Sequence, residues 1–381
     1  MQLAVDNQKP NIRVLMLGAS LDVKGGMTSV EKLIIENTTL ELQVRHVPTF
    51  DQGSAIHNVI VFIKAVQSLL LAILTKKIDI VHIHFAERGS TLRKSILLFI
   101  SLVFHQRILI HSHGATYEAF YDGLPSWLQK LLVSLFSRCT KFIALSKSWE
   151  DYYAQTFCLD KNQITVLYNP VAVPATVPDR LGKKHLKFVF LGRIGSRGGA
   201  LDLAKSVVSF PKQEKGSFEL IKAFSELQEL DRENAELVLA GNGDLEAANQ
   251  LIVDLKMQDK ITILSWISPE ERDELLAGAD AFILPSYNEG LPMSMLESMA
   301  WGLPVIVTPV GGIPEVITHK ENGLLVEPGN KVQLMQAIQD LIKNEDLRIS
   351  LGIAARRSVE PLDIKNYMSL LVNIYTEIMN H

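Results

Sequence analysis

The chain is predicted to be α/β, with two doubly wound, Rossmann-like domains, each on a parallel sheet. Short β-branched runs alternate with longer stretches of helical periodicity, the pattern of parallel strands covered by helices. A proline-rich segment, 170–178, interrupts that alternation near the middle of the chain. At 381 residues, 47% hydrophobic and 21% charged, the chain can bury two cores of ordinary size and exceeds the usual range for one. The strand candidates of the first half are 13–17, 78–83, 107–111, 142–145 and 164–168. Those of the second are 188–191, 237–240, 261–264, 281–284, 305–307 and 324–326. Pro170, Pro174 and Pro178 favour an extended linker over either element, which places the first domain at 1–175 and the second at 183–360. A last helix is expected within 361–381, with its apolar positions between 364 and 379.

The most informative stretch is 288–297, which sets Glu289 and Glu297 eight positions apart around one loop and one helix start. Pro292 suits the first helical position, where a missing N–H costs nothing, and Gly302 suits the helix end. Met293, Met295, Leu296, Met299 and Trp301 make that helix apolar, so a charge at Glu297 needs a partner such as a hydroxyl-rich ligand. The N–H groups of Gly290, Leu291 and the first turn after Pro292 form a cradle for an anion with the helix dipole behind it. One carboxylate on each side of such a helix end suits a ligand in which two sugars flank a diphosphate.

Glu, seven residues and a second Glu resembles the signature of the retaining glycosyltransferases of family 4. The segments 279–286, 302–308 and 310–316 look like the same family, so the resemblance is strongest over 236–330. It implies the GT-B fold, two Rossmann-like domains facing across a cleft, with the acceptor mainly on the first domain and the nucleotide on the second. It also implies that the C-terminal helix crosses back to the first domain. By the family pattern Glu289 contacts the transferred sugar and Glu297 the nucleotide ribose. Met293, in the first turn after Pro292, lies on the donor side. Gly25 and Gly26 match a Gly-Gly loop that lets backbone N–H groups approach phosphate or sugar, ahead of a helix starting near Ser29. His113, in the run His111-Ser112-His113-Gly114, matches the histidine that approaches sugar or acceptor. Gly241 belongs to a glycine turn near the nucleotide. Arg193, after a strand, is the first cation for the diphosphate. Where the family's lysine is due the chain reads Gly195-Ser196-Arg197-Gly198, and a good match appears only at Lys215-Gly216. Residues 196–213 are accordingly read as an insertion, with Lys215 as the functional lysine and Arg197 as its rival.

The resemblance implies a metal-independent retaining hexosyltransferase that takes a nucleotide-diphosphate sugar as substrate and needs no cofactor. A UDP-sugar is favoured over a GDP-sugar, and the acceptor is a glycan or a lipid-linked molecule of surface polysaccharide synthesis. The alternatives are a nucleotide-sugar epimerase of the same architecture and a catalytically silent binding or scaffold protein. The Gly25-Gly26 spacing does not fit a nicotinamide-binding glycine loop.

The net charge of −4 argues against a nucleic-acid partner. Cys139 and Cys158 have neither disulfide-framework nor zinc spacing, and the opening residues lack a basic then apolar leader, so a cytoplasmic location is expected. Three apolar segments, 59–74, 96–104 and 124–142, carry interior charges or are too short for a clean span. Cations nearby, Arg88, Arg93 and Lys94 with Lys76, Lys77 and Arg107, fit a peripheral contact with the cytoplasmic face of a membrane. The pairs His82/His84 and His111/His113 place two imidazoles on one strand face without a third and fourth ligand, and no Asp-x-Asp occurs, so no metal is expected.

Overall fold

The computed structural model describes residues 12–39, 41–195 and 215–380. The chain divides into two compact units, one running to Pro170 and resuming at Ile364, the other spanning Val171–Asp363. The second unit therefore begins earlier than the proline segment's end. Val171 bridges to Asp363, Val173 N–H donates to the Asp363 carboxylate, and Arg356 donates to the Pro174 carbonyl, which ties the start of that segment to the second unit. The last helix, Ile364–Asn380, groups with the first unit: the Tyr375 hydroxyl meets His82 Nδ1 at 2.8 Å, and Arg107 donates to the Met379 carbonyl.

Strands β1 (Ile12–Gly18), β2 (Leu42–Pro48), β3 (Ile80–Phe85), β4 (Arg107–Ser112), β5 (Lys141–Ala144) and β6 (Ile164–Val166) form the first sheet, in the order β2-β1-β3-β4-β5-β6. Strands β7 (Leu186–Leu191), β8 (Ala235–Ala240), β9 (Ile261–Leu264), β10 (Ala281–Leu284), β11 (Val305–Val307) and β12 (Leu324–Leu325) form the second, ordered β12-β11-β10-β7-β8-β9. All pairings are parallel. Residues such as Leu15, Ile83, Phe188 and Ile283 are fully buried, as strands covered by helices on both faces require. Every strand expected from the sequence is present. β2 was not expected: as an edge strand it is only half buried, and its sequence Leu-Gln-Val-Arg-His-Val-Pro mixes polar residues into the run.

In doubly wound sheets ligands bind beyond the carboxyl ends of the strands, at the point where strand order reverses. The second sheet reverses between β7 and β10, and the first between β1 and β3. These two points fix where functional loops gather in each unit.

The apolar segment 59–74 lies in the helix Ala55–Leu74, which Ser54 caps by accepting from His57 N–H. By length and composition this helix is long and apolar enough to cross a membrane, so its internal lysine does not disqualify it. It nonetheless lays one stripe, Ala65, Leu69, Ala72 and Ile73, on the edge of the first sheet while Ile56, Val59, Ile60, Ile63, Leu71 and Leu74 face outward. Segment 96–104 falls in the helix Gly89–Val103, and 124–142 divides between the helix Ser126–Phe136 and β5.

Candidate active site

At the reversal point of the second sheet, the loop after β7 and the loop after β8 are stitched together. Gly192 N–H donates to Ala240 O, Ile194 N–H to Asn242 O, and Asp244 N–H back to Ile194 O. The approach is close enough that a Cβ on Gly241 would lie 1.8 Å from the Gly192 carbonyl oxygen. Only glycine tolerates that contact. Arg193 sits between these bonded residues, half-buried. Lys215 precedes Gly216, the N-cap of the helix Ser217–Ser225, and Ser217 Oγ accepts from Gly195 N–H at 2.8 Å, so the two segments converge. Arg197 and the 196–213 insertion lie outside the described residues.

Beyond β10, Glu289 is buried, at 6% exposure, and Lys215 Nζ meets its Oε1 at 2.5 Å. Ser286 Oγ donates to the same oxygen at 2.8 Å, and Thr308 Oγ1 fixes the Ser286 carbonyl. The loop is braced from below: Gly312 N–H donates to Gly290 O, and Gly311, at φ +57, comes so near that a Cβ there would stand 1.9 Å from Glu289 O. Leu291 and Met293 are buried, and the helix runs Met293–Ala300. Pro292 is its N-cap, one place earlier than expected, because its ψ of 123° is extended while its carbonyl accepts the first helical bond from Leu296. Among the described residues no side chain caps this end, which leaves the first-turn N–H groups to an anion. Gly302 N–H closes the other end on Met299 O.

One turn into this helix, Glu297 Oε1 accepts from Arg272 at 2.6 Å, and Arg272 is shared with Asp273. Burial pushes the Glu297 carboxyl up to about 7, against the pull of Arg272. A cation of the protein itself, on the helix Pro269–Gly278, thus partners this buried carboxylate where the sequence had suggested a hydroxyl-rich ligand.

In the first unit the helix after β1 starts at Gly26, with Gly25 as N-cap, three residues before the expected start. Gly25 is extended, and a Cβ there would meet nothing within 4 Å, so neither fold nor backbone demands glycine. His113 follows β4, its N–H bonded to Phe85 O, and its Nε2 lies 2.9 Å from His84 Nδ1. Burial and the nearby Lys94 push its imidazole down to about 3, so it is neutral, with Nε2 engaged by His84 and Nδ1 left for a single hydroxyl. The reason given for excluding a metal does not hold in the fold: β3 and β4 pair with His84 beside His111, which supplies the third imidazole that one strand lacks.

Sequence reasoning missed Arg272, Ser286 and Glu31, and it read Lys94 as a surface cation although the side chain is buried. Glu31 is fully buried, 3.3 Å from His46 and 3.8 Å from His84. Its signal was legible, since it shares the apolar stripe of Val30 and Ile34 on the helix Gly26–Glu36. Lys94 is likewise buried and donates to the carbonyls of Leu17 and Gly18. Arg272 had no sequence signal, being 25 residues from Glu297 on a polar helix.

Residues 183–358 match the family Glycosyl transferases group 1, and residues 36–173 match Glycosyltransferase Family 4. The chain is similar to an uncharacterized glycosyltransferase of Methanocaldococcus jannaschii, 28% identical over 64% of this chain and 61% of that protein. It is also similar to the O-antigen chain mannosyltransferase RfbU of Salmonella typhimurium, 29% identical over 64% of this chain and 62% of that protein. The matched stretches thus span about three fifths of these relatives' length. Among solved structures it resembles Anabaena Alr3699/HepE in complex with UDP-glucose, with a TM-score of 0.70, 15% identity, and coverage of 96% of this chain and 100% of that one. At that identity the likeness speaks for the fold, which is GT-B.

Proposed function

Because this chain belongs to the group 1, family 4 glycosyltransferases, we propose that it moves a sugar from a nucleotide-diphosphate sugar to an acceptor hydroxyl with retention at the anomeric carbon. The observation that supports this reading is the pair of ion pairs, Lys215 with Glu289 and Arg272 with Glu297, around the uncapped helix start at Met293. An incoming diphosphate replaces Glu289 as the partner of Lys215, while Arg193 and the first-turn N–H groups meet its remaining oxygens. Charge that develops on the leaving phosphate is then held by preorganised protein groups, without a metal in this reading. Glu289, released from Lys215 but still fixed by Ser286, accepts from hydroxyls of the transferred sugar, and the departing phosphate assists deprotonation of the acceptor. Glu297 accepts from the ribose.

A UDP-sugar is the favoured donor, in line with the UDP-glucose in the HepE structure, and a glycan or lipid-linked acceptor of surface polysaccharide synthesis follows the O-antigen relative. The outward apolar row of the helix Ala55–Leu74, near Lys64, Lys76 and Lys77, supports peripheral contact with the cytoplasmic face of a membrane where such an acceptor resides. Calorimetric titration with UDP and GDP, without added metal, tests the donor side. Micromolar binding of UDP, weakened about tenfold or more (roughly 1.4 kcal/mol) by Arg193→Ala or Glu297→Ala, is expected. No binding of either nucleotide overturns the reading and favours a silent scaffold.

A further inference from the structure

Three imidazoles that sugar transfer does not use meet in the first sheet. His82 and His84 alternate onto one face of β3, and the parallel register sets His84 beside His111. One ring nitrogen from each falls within 4.8 Å of the other two, and all three side chains are fully buried. Two of the rings are oriented from outside. The Tyr375 hydroxyl holds His82 Nδ1 at 2.8 Å, and His113 Nε2 holds His84 Nδ1 at 2.9 Å with Glu31 Oε1 3.8 Å away. The nitrogens that remain, Nε2 of His82, Nε2 of His84 and both of His111, are buried with no hydrogen-bond partner among the described residues, as is Glu31 Oε1.

Buried polar atoms left unpaired are costly and rare, so a concentration of five calls for a ligand. Imidazoles pinned at Nδ1 with Nε2 unpaired have the arrangement of metal ligands, whose second nitrogen is held by an outer partner that fixes ring orientation. We propose that His82, His84 and His111 form a structural site for a divalent transition metal, zinc in the first instance, with Glu31 supplying the adjacent negative charge. Tetrahedral zinc with bonds of about 2.05 Å sets nitrogen–nitrogen edges near roughly 3.4 Å, so binding draws the widest pair inward. Metal on His84 Nε2 leaves Nδ1 as the protonated nitrogen, which donates to His113 Nε2 and settles the tautomer of that residue.

The test uses the full chain, stripped with a chelator, loaded with zinc or cobalt and passed through gel filtration. One zinc retained per chain, a raised Tm, and the intense visible bands of tetrahedral cobalt are expected. Tyr375→Phe, which keeps the packing and removes the outer bond to His82, is expected to weaken zinc roughly tenfold or more, and His111→Leu to abolish retention. His57→Ala with His185→Ala, which removes exposed imidazoles, leaves retention unchanged. A wild-type chain that retains no metal overturns the proposal, the nitrogens then being met by water. Weak octahedral cobalt bands, or zinc lost only with the exposed histidines, also overturn it. None of these readouts requires transferase activity.

Discussion

Lys215 Nζ and Glu289 Oε1 stand 2.5 Å apart although 74 positions separate them in sequence. The cation and the carboxylate that the proposed reaction assigns to donor phosphate and donor sugar are thus one ion pair in the protein. Their side chains are 25% and 6% exposed, so the pair is sheltered enough for loss of one member to matter. Lys215→Met leaves the Glu289 carboxylate with Ser286 as its remaining bonded partner among those described. The expected outcome is a stability loss of about 1–3 kcal/mol in chemical denaturation, with UDP binding weakened roughly tenfold or more.

Glu297 gives the site a pH dependence with a definite sign. Its folded pKa, about 7, lies above the ordinary value of 4.5, so ionisation costs the folded chain more than the unfolded one. The stability contribution of this group is therefore present at low pH and declines as pH rises from 4.5 through about 7. On the proposed ribose contact nucleotide affinity moves the opposite way, because a carboxylate accepts from hydroxyls; it should tighten as pH rises through 7, by at most about tenfold per unit. Calorimetry with UDP across this window measures the slope, and Glu297→Gln is expected to flatten both dependences.

The glycines separate backbone need from ligand need. Gly241→Ala and Gly311→Ala drive a Cβ to within 1.8 and 1.9 Å of carbonyl oxygens and are each expected to destabilise by more than about 1 kcal/mol. Gly25→Ala meets open space at an extended φ and is expected to change stability by no more than about 0.5 kcal/mol. Any loss of sugar transfer in Gly25→Ala at unchanged Tm then reports on ligand approach.

Ile60 and Leu71, 47% and 59% exposed on the helix Ala55–Leu74, test the surface reading. Ile60→Asp with Leu71→Asp is expected to abolish flotation with anionic vesicles and to leave UDP binding intact. Flotation equal to that of the unaltered chain would remove the helix from membrane contact.

Legibility followed the physics of each feature. Buried parallel strands are continuous apolar runs, so β3, β4, β8 and β10 were readable, whereas the edge strand β2 exposes half its side chains and was not. Glu289 and Glu297 were readable because a helix start and an apolar helix surround them within ten residues. Their partners were less so, since Arg272 and the histidine group of β3 and β4 come together only through tertiary pairing, which sequence spacing does not encode. Lys215 was picked out by the match over residues 215–224, and the structure sets its Nζ against Glu289, while its rival Arg197 lies outside the described residues.

The most direct test of the central claim, that Glu289 serves the transferred sugar, is to measure Glu289→Gln in parallel for UDP affinity and for sugar turnover from the UDP-sugar. Turnover lost by roughly a hundredfold or more (about 2.7 kcal/mol), with UDP bound within a few-fold of the unaltered chain, is the predicted result. Turnover and UDP binding lost together, or turnover retained, would contradict that role for Glu289.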